Sequence, residues 1–249
     1  MSYRTNTIHN GNLYLRCPYC GDSANRDYVA HYNIHLATGR YHCYRCGASG
    51  IVTASEYLEL TSGLDLAVPS NLIDLATYTG IPITDDDRYT LLPSRYDGTT
   101  RVWDMRLPSG KVVGYHTREY PKRIENVGTR ALGYVGSSLS LTSTLRVVEG
   151  VYDVVLPSSV CLYGKITKHS LGMLRHYSLC LCPDNDCIYQ IAELRNLYST
   201  VLYHPNVQYV EILPRNVKDA HDWYLANGLD RAKILSRKEF LSSVSTVIR

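Results

Sequence analysis

The sequence predicts a mixed α/β fold in which a small cysteine-rich module precedes a strand-rich region and then an α/β region. Three observations lead to this prediction. Two CxxC pairs lie within residues 13–50, a strand–turn–strand pattern covers residues 101–119, and strand and helix patterns alternate from Leu145 onward. Such alternation is typical of a parallel sheet. A chain of 249 residues has room for two modest domains.

Four cysteines form the most specific motif. Cys17 and Cys20 lie in CPYC, and Cys43 and Cys46 lie in CYRC. Each pair fits a tight turn that brings two thiolates to one ion, and four thiolates complete the tetrahedral shell of a structural Zn²⁺. The intervening DYVAHYNIHLATGRYHCY alternates and then turns, as two antiparallel strands do. We therefore predict a zinc ribbon, which the metal helps to fold.

Composition changes divide the rest of the chain. The segment after the ribbon reads as short helices broken by glycine and proline, and strand patterns follow it, beginning with YTLLPS. In the α/β region, helices are predicted at VYDVVLP, at TKHSLGMLRHY from Thr167, at DCIYQIAELRNLYS and at KDAHDWYLANG, which Gly228 ends. The predicted segments are a zinc ribbon at 1–52, a helical linker at 53–87, a basic hairpin-rich subdomain at 88–144, an α/β domain with a parallel sheet at 145–230 and a C-terminal helix at 231–249.

Positive charge is concentrated in the middle of the chain. Between Arg88 and Arg130 there are nine Lys and Arg residues against four Asp and Glu residues, whereas the whole chain has a net charge of only +3. A basic stretch of this kind fits a groove that follows nucleic-acid phosphates. A solvated hairpin face is the alternative, and charge alone leaves both open.

Composition excludes several classes of protein. A hydrophobic content of 45% and a charged content of 20% are typical of a globular protein. The sequence has no apolar run of about 18 residues and no secretory signal pattern, so we expect a cytoplasmic protein. Eight cysteines then favour metal ligation or reduced thiols over disulfides. We expect core thiols at Cys161, Cys180, Cys182 and Cys187.

Acidic residues follow two predicted strands of the α/β region. Glu149 follows LRVV, and Asp184 and Asp186 follow SLCLC. The carboxyl ends of parallel strands meet at one edge of a sheet, and neighbouring carboxylates repel each other unless a cation such as Mg²⁺ lies between them. The alternative is that Glu149 and Asp184 only cap the helices that follow. Spacing alone leaves both readings open.

Five motifs in order resemble those of the bacterial and phage primases built from a zinc ribbon and a TOPRIM catalytic domain. The resemblance runs from Leu13 to Gly228. The matching stretches are CPYCGD with YHCYRCGASG for the ribbon, LPSGKVVGYHTREYPKRIEN for the basic part of the polymerase core, VVEGVYDVV for the glutamate motif, LCPDNDC for the DxD motif and LPRNVKDAHDWYLANG for the closing segment.

This resemblance implies a DNA-dependent RNA primase that makes short RNA primers on single-stranded DNA from ribonucleoside triphosphates. The residues it implies are Glu149, Asp184 and Asp186 as ligands of catalytic Mg²⁺ or Mn²⁺, Arg118 and Lys122 as phosphate contacts, and Asp153 and Asp219 around the metal ligands. No GxxxxGK[ST] pattern occurs, so we expect no fused helicase. A replicative helicase, if one is required, would be a separate partner.

Two other functions stay open. A non-catalytic single-stranded DNA-binding module would use the ribbon and the basic hairpin alone, but it has no reason to keep three acidic residues together. A nuclease or topoisomerase with the same type of catalytic domain is the third reading. We expect no topoisomerase, because that activity needs a large additional cleavage domain with a nucleophilic tyrosine.

Overall fold

The computed structural model describes residues 3–20, 29–79, 81, 83–84, 90–119, 123–217, 219–227 and 232–248. The chain forms two compact units. The first comprises Met1–Asp85, Pro93–Arg106 and Lys111–Ala131, and the second comprises Asp86–Leu92, Leu107–Gly110 and Leu132–Arg249. Each unit contains its own large β-sheet, so the predicted mixed α/β fold is confirmed.

Within the described residues, the first unit holds a ten-stranded sheet, a two-stranded sheet and two short helices. Its strands are β1 (Tyr3–Arg4), β2 (Thr7–His9), β3 (Asn12–Leu15), β4 (Val29–Ala30), β5 (Tyr32–His35), β6 (Arg40–Cys43), β7 (Ser49–Ile51), β8 (Ile83–Thr84), β9 (Ser94–Tyr96), β10 (Thr100–Arg106), β11 (Val112–Glu119) and β12 (Arg123–Gly128). The helices are α1 (Ala54–Leu60) and α2 (Ala76–Thr79). The larger sheet has the order β2-β3-β5-β6-β7-β12-β11-β10-β9-β8.

The ribbon strands and the basic hairpin belong to this one sheet. Strand β7 pairs in parallel with β12 through Ile51 and Val127. Gly50 lies so close to the carbonyl of Asn126 that a side chain at this glycine would collide with the neighbouring backbone. The ribbon and the basic subdomain, which composition separates into two segments, therefore share a continuous hydrogen-bonded surface.

Within the described residues, the second unit holds a six-stranded sheet of order β13-β15-β14-β16-β17-β18. Its elements are β13 (Gly133–Tyr134), β14 (Leu145–Val148), β15 (Ser159–Cys161), β16 (Leu179–Leu181), α3 (Asp186–Tyr189), α4 (Ile191–Tyr203), β17 (Val207–Ile212), α5 (Ala220–Asn227), β18 (Lys233–Ser236) and α6 (Arg237–Ser245). Strands β15, β14, β16 and β17 are parallel to their neighbours in this group, and β13 and β18 pair antiparallel at the two edges. The predicted parallel sheet is therefore confirmed.

The central parallel strands β14, β15 and β16 are buried on both faces, as expected for a sheet covered by helices. Val147, Val160 and Leu181 are fully buried, and α4 packs against them through an apolar stripe that includes Leu197 and Val201. The four cysteines predicted as core thiols are all buried. In the described part of the chain, none of the helices has the length and apolar character needed to cross a bilayer.

Two predicted helices of the α/β region were wrong. VYDVVLP forms only a 3-10 turn at Val151–Asp153, and TKHSLGMLRHY forms turns with a 3-10 segment at Gly172–Leu174. Thr167, predicted to open the second helix, exchanges hydrogen bonds with Ser170: the Thr167 amide donates to Ser170 Oγ at 2.8 Å, and the Ser170 amide donates to Thr167 Oγ1 at 3.1 Å. This reciprocal pair has the form of a helix N-terminal cap, but the segment continues from it only as turns and the 3-10 segment.

Three other local predictions also need correction. The single helix predicted after PDND is divided between α3 and α4 at Gln190, whose backbone is extended. Residues 90–93 of the predicted strand YTLLPS are not a strand, because Pro93 lacks the amide that a ladder needs, and β9 begins after it. The predicted C-terminal helix is preceded by β18, which pairs with β17. Gly228, the predicted end of the helix now seen as α5, lies outside the described residues.

Candidate functional site

The four predicted zinc ligands converge in the first unit. The sulfur atoms of Cys17, Cys20, Cys43 and Cys46 all lie within 4.8 Å of one another. Cys17 Sγ is 3.7 Å from Cys46 Sγ, and Cys20 Sγ is 4.0 Å from Cys43 Sγ. A tetrahedral ion with sulfur bonds of about 2.3 Å holds its sulfurs about 3.8 Å apart. The cluster therefore fits a zinc ribbon.

Backbone turns aim these thiols at one another. The Cys43 amide donates to the Ala48 carbonyl at 2.8 Å, and the Gly47 amide donates to the Cys43 carbonyl at 2.9 Å. Gly47 has φ +70°, a left-handed conformation that glycine adopts without strain. The buried rings of Tyr32 and Tyr41, with centroids 5.3 Å apart, pack in the same core. These contacts therefore orient the second CxxC turn toward the first.

Glu149 lies directly after β14 and is 5% exposed. Its Oε1 accepts hydrogen bonds from the Ile166 amide at 3.2 Å and from the Cys187 thiol at 3.4 Å. Its Oε2 is 3.3 Å from the Nζ atom of Lys165. Burial raises the pKa of Glu149, and the charge of Lys165 acts in the opposite direction. The carboxylate is therefore held in place by groups from the loop after β15 and from α3.

The two aspartates of PDND have different surroundings. Both carboxylate oxygens of Asp186 contact Lys165 Nζ, at 2.9 and 2.8 Å. Although burial opposes the effect, these contacts lower the pKa of Asp186 below its ordinary value. Burial, together with the charges of Glu149 and Asp153, raises the pKa of Asp184 to about 7. The like-charge repulsion expected from the sequence therefore acts on Asp184, where it adds to the effect of burial on the pKa.

The alternative role as helix caps does not hold for Glu149 or Asp184. The N-cap residue of α3 is Asn185, and its side chain makes no capping hydrogen bond. In the turn after β14, the Gly150 amide donates to Asp153 Oδ2 at 3.2 Å. Asp153 therefore caps this turn, and Glu149 points its oxygens to other partners.

Asp153 and Asp219 lie in the same neighbourhood. Asp153 is 6% exposed, and its Oδ1 accepts a hydrogen bond from the His221 amide at 3.1 Å. Burial, followed by the charge of Asp219, raises the pKa of Asp153 to about 6. At the start of α5, the Asp222 amide donates to Asp219 Oδ1 at 3.0 Å. The structure thus brings both predicted outer residues to the acidic edge of the sheet.

The three predicted metal ligands are neighbours but do not meet at one point. Among the described residues, the groups with all ligand atoms within 4.8 Å of one another are the four cysteines and the set of Asp219, His221 and Asp222. Carboxylate oxygens are nevertheless the donors that Mg²⁺ and Mn²⁺ prefer. The pKa of Asp184 is raised first by burial and then by the charges of Glu149 and Asp153, and a bound cation would offset both effects. The residues present therefore fit a divalent ion.

Sequence reasoning missed Lys165, which lies between Glu149 and Asp186. It follows Gly164 in the loop after β15, and β15 is the parallel neighbour of β14. The available signal was a lysine placed just beyond the end of a buried strand, at the edge where the acids were expected.

It also missed a buried ion pair beneath the acids. Arg146 Nε lies 2.7 Å from Glu211 Oε2, and the side chains are only 6% and 1% exposed. Arg146 also donates from Nη1 to the Asp153 carbonyl at 3.2 Å and from Nη2 to Cys182 Sγ at 2.8 Å. These contacts fix the backbone at Asp153. The available signal was a charged residue inside an otherwise apolar strand.

Arg118 lies on β11 of the first unit, directly opposite Arg101 on β10. Burial lowers the pKa of the nearby His116 to about 4, and the charges of Arg130 and Arg118 act in the same direction. The surroundings of Arg118 are therefore electrostatically positive. Lys122, the other predicted phosphate contact, lies outside the described residues.

No protein-family model matches the chain, and no curated protein matches it. Several solved structures do. The primase fragment of the bacteriophage T7 primase-helicase protein is 16% identical, with 93% of this chain and 98% of that chain covered at a TM-score of 0.42. The zinc-binding and RNA polymerase domains of the Aquifex aeolicus primase are 12% identical, with coverage of 96% and 80% at a TM-score of 0.42. The E. coli primase catalytic core is 20% identical, with coverage of 68% and 62% at a TM-score of 0.47. All three are primases.

Proposed function

We propose that the protein is a DNA-dependent RNA primase, which joins ribonucleotides on a single-stranded DNA template by metal-dependent nucleotidyl transfer. The observation that carries this proposal is the proximity of Glu149, Asp184 and Asp186 beyond the carboxyl ends of β14 and β16, where burial, together with the charges of Glu149 and Asp153, raises the pKa of Asp184 to about 7. The order of the five sequence motifs supports the choice of nucleotidyl transfer over other metal-dependent reactions.

Mg²⁺ or Mn²⁺ would be held by Glu149, Asp184 and Asp186. When bound, such ions make a 3′-hydroxyl more acidic and neutralise charge on the reacting phosphate and the leaving pyrophosphate. Asp153 and Asp219 would add negative charge around these ligands without binding the ion directly. The reaction needs no protein nucleophile, so the task of the chain is to position oxygen ligands on a rigid sheet.

The first unit would supply template and nucleotide contacts. A structural Zn²⁺ on the four cysteines would hold the ribbon, which in turn continues into the sheet that carries Arg118. Arg118 and Lys122 are proposed to contact nucleotide or template phosphates. A guanidinium in a positive surrounding is suited to this role because it remains charged and donates several hydrogen bonds.

The test is a primer-synthesis assay on the purified chain. Labelled ribonucleoside triphosphates, Mg²⁺ or Mn²⁺ and a set of single-stranded DNA templates are incubated, with and without a replicative helicase, and the products are sized on a gel. We expect short RNA products that depend on both template and metal. Reactions with chelator or with deoxyribonucleotides alone serve as controls.

Binding of single-stranded DNA without any RNA product, on all templates and with either metal, would contradict the proposal. That result would favour a non-catalytic single-stranded DNA-binding module. Cleavage of the template in place of synthesis would favour a nuclease.

A further inference from the structure

One ammonium group bridges two of the three proposed metal ligands. Lys165 Nζ lies 2.9 and 2.8 Å from the two oxygens of Asp186 and 3.3 Å from Glu149 Oε2. The Lys165 side chain is 47% exposed. Within the described part of the chain, no ion pair reaches Asp184. A positive charge of the protein itself thus compensates part of the acidic cluster through direct contacts with Glu149 and Asp186, whereas it acts on Asp184 only from a distance.

We infer that Lys165 is a built-in cation of the acidic cluster and competes with divalent ions for Glu149 and Asp186. This inference rests on the proposed function, because it requires a metal ion at these acids. Lys165 would thus be a positioning residue that sets the affinity of the site for a divalent ion.

The competition has a simple physical cause. The ammonium donates hydrogen bonds to the same carboxylate oxygens that a divalent ion would use, and a second cation placed beside it is repelled. Metal binding therefore requires the ammonium to move away from these oxygens. Lysine is suited to such a movement, since its flexible four-carbon stem is half exposed here and can turn without disturbing the core.

A displaced Lys165 would still lie at the edge of the site. An ammonium is a compact point charge that binds phosphate oxygens well. The same lysine can therefore exchange carboxylate partners for the phosphates of a nucleotide. Metal and triphosphate would then favour each other's binding. The metal ion replaces Lys165 at the carboxylates, and the triphosphate binds the ammonium group that the metal has displaced.

The experiment measures Mn²⁺ binding directly, by the electron paramagnetic resonance signal of free Mn²⁺ during titration of the protein. Lys165→Met keeps the length of the side chain and removes its charge. We expect it to bind Mn²⁺ on the order of tenfold more tightly than the parent, or to bind one further ion. An opposite charge within about 4–6 Å shifts the pKa of a carboxyl group by about one unit or more, and the same free energy corresponds to about a tenfold change in the affinity for a cation. Lys165→Arg, which keeps the charge, should stay close to the parent.

Two controls locate the effect. Lys168→Met removes one charge from the same loop, and Lys168 has no ion-pair partner among the described residues, so its Mn²⁺ affinity should equal that of the parent. Adding Asp184→Asn to Lys165→Met should remove most of the gain. Thermal melting of the metal-free proteins checks folding, and Lys165→Gln provides the same test if the methionine variant does not fold.

Equal or weaker Mn²⁺ binding by Lys165→Met, when the parent does bind Mn²⁺, would overturn the inference and leave the proposed metal site intact. Absence of Mn²⁺ binding by all of these variants would overturn the inference and the proposed metal site together. Binding by Lys165→Met but not by the parent would support the inference in its strongest form.

Discussion

The two clusters of metal-binding side chains are built in different ways. The four cysteines lie in two short turns of the ribbon, and their sulfurs already approach the spacing of a tetrahedral site. The acids come from the ends of β14 and β16 and from the start of α5, and a lysine lies between two of them. The first arrangement is closed and symmetric, as in structural sites, whereas the second is open and charged, as in sites that must admit a substrate.

The two clusters also differ in what supports them. The ribbon has a small core in which Cys17, Cys43 and Cys46 are buried members and against which Cys20 packs, so removing a ligand removes part of the core. Glu149 and Asp184 follow β14 and β16, two strands that are fully buried by apolar packing around residues such as Val147 and Leu181. That packing can hold carboxylates close together despite their repulsion. A change at the ribbon should therefore affect folding, and a change at the acids should affect chemistry.

The largest expected effect is the loss of zinc from Cys43→Ser. Three remaining thiolates leave an open and weaker site, and structural zinc contributes about 10–16 kcal/mol in isolated finger peptides. We expect the parent to carry one zinc per chain and the variant to lose it together with order in the ribbon. Metal analysis and amide hydrogen exchange measure both. Cys180→Ser, which alters a buried thiol of β16, should keep its zinc, and a zinc-free parent purified without chelator would contradict the ribbon assignment.

The next effect concerns Asp184→Asn and Asp186→Asn. Each removes a charged ligand while nearly preserving shape, so we expect primer synthesis to fall by at least about a hundredfold, since even residues that only orient metal ligands are worth 10–100-fold. Both variants should remain folded and should still bind single-stranded DNA. The exposed Asp65→Asn is the matched control and should retain activity. Full synthesis by either site variant would remove that residue from the proposed ligands.

A smaller effect should appear in the pH dependence of metal-free stability. Asp184 has a folded-state pKa of about 7, above its unfolded value of 3.8, so its contribution is fully present below pH 3.8 and is lost as the pH rises through 7. Asp184→Asn should therefore be more stable than the parent at pH 8, by about 1–2 kcal/mol, and the difference should shrink towards pH 4. Chemical denaturation across this range measures it.

Asp186 should behave in the opposite way. Its pKa is lowered in the folded protein, so its ionised form stabilises the metal-free state above the unfolded pKa, and this contribution is lost as the pH falls through the folded value. Asp186→Asn should thus be no more stable than the parent at pH 8. The same pH profile for both variants would contradict the assignment of Lys165 to Asp186.

The smallest effect is expected at the basic hairpin. Arg118→Ala should weaken binding of single-stranded DNA or nucleotide by about threefold to tenfold and should flatten the salt dependence, because each lost phosphate contact removes about one released counterion. Lys122→Ala should act similarly. Lys238→Ala, at an exposed position of α6, removes the same charge from the second unit and should leave the salt slope unchanged. Unchanged slopes in the Arg118 and Lys122 variants would favour a merely solvated hairpin face.

Short-range spacing was enough to predict the ribbon. The two CxxC motifs, the turn between two strands and the alternation of strands and helices are local patterns, and each reflects a local physical rule. The ends of β14 and β16 could be read in the same way, because a buried strand that stops at an acid and a glycine or proline is visible in the sequence.

The strand β18 and the contacts of Lys165 depend on the tertiary structure and could not be predicted from local patterns. The segment before α6 is a strand, β18, because the edge of β17 offers it backbone hydrogen-bond partners. Lys165 reaches Asp186 and Glu149 only because parallel pairing places the loop after β15 beside the end of β14. A sequence shows which residues can bind a cation, but the distance between residues from separate strands depends on how those strands pair.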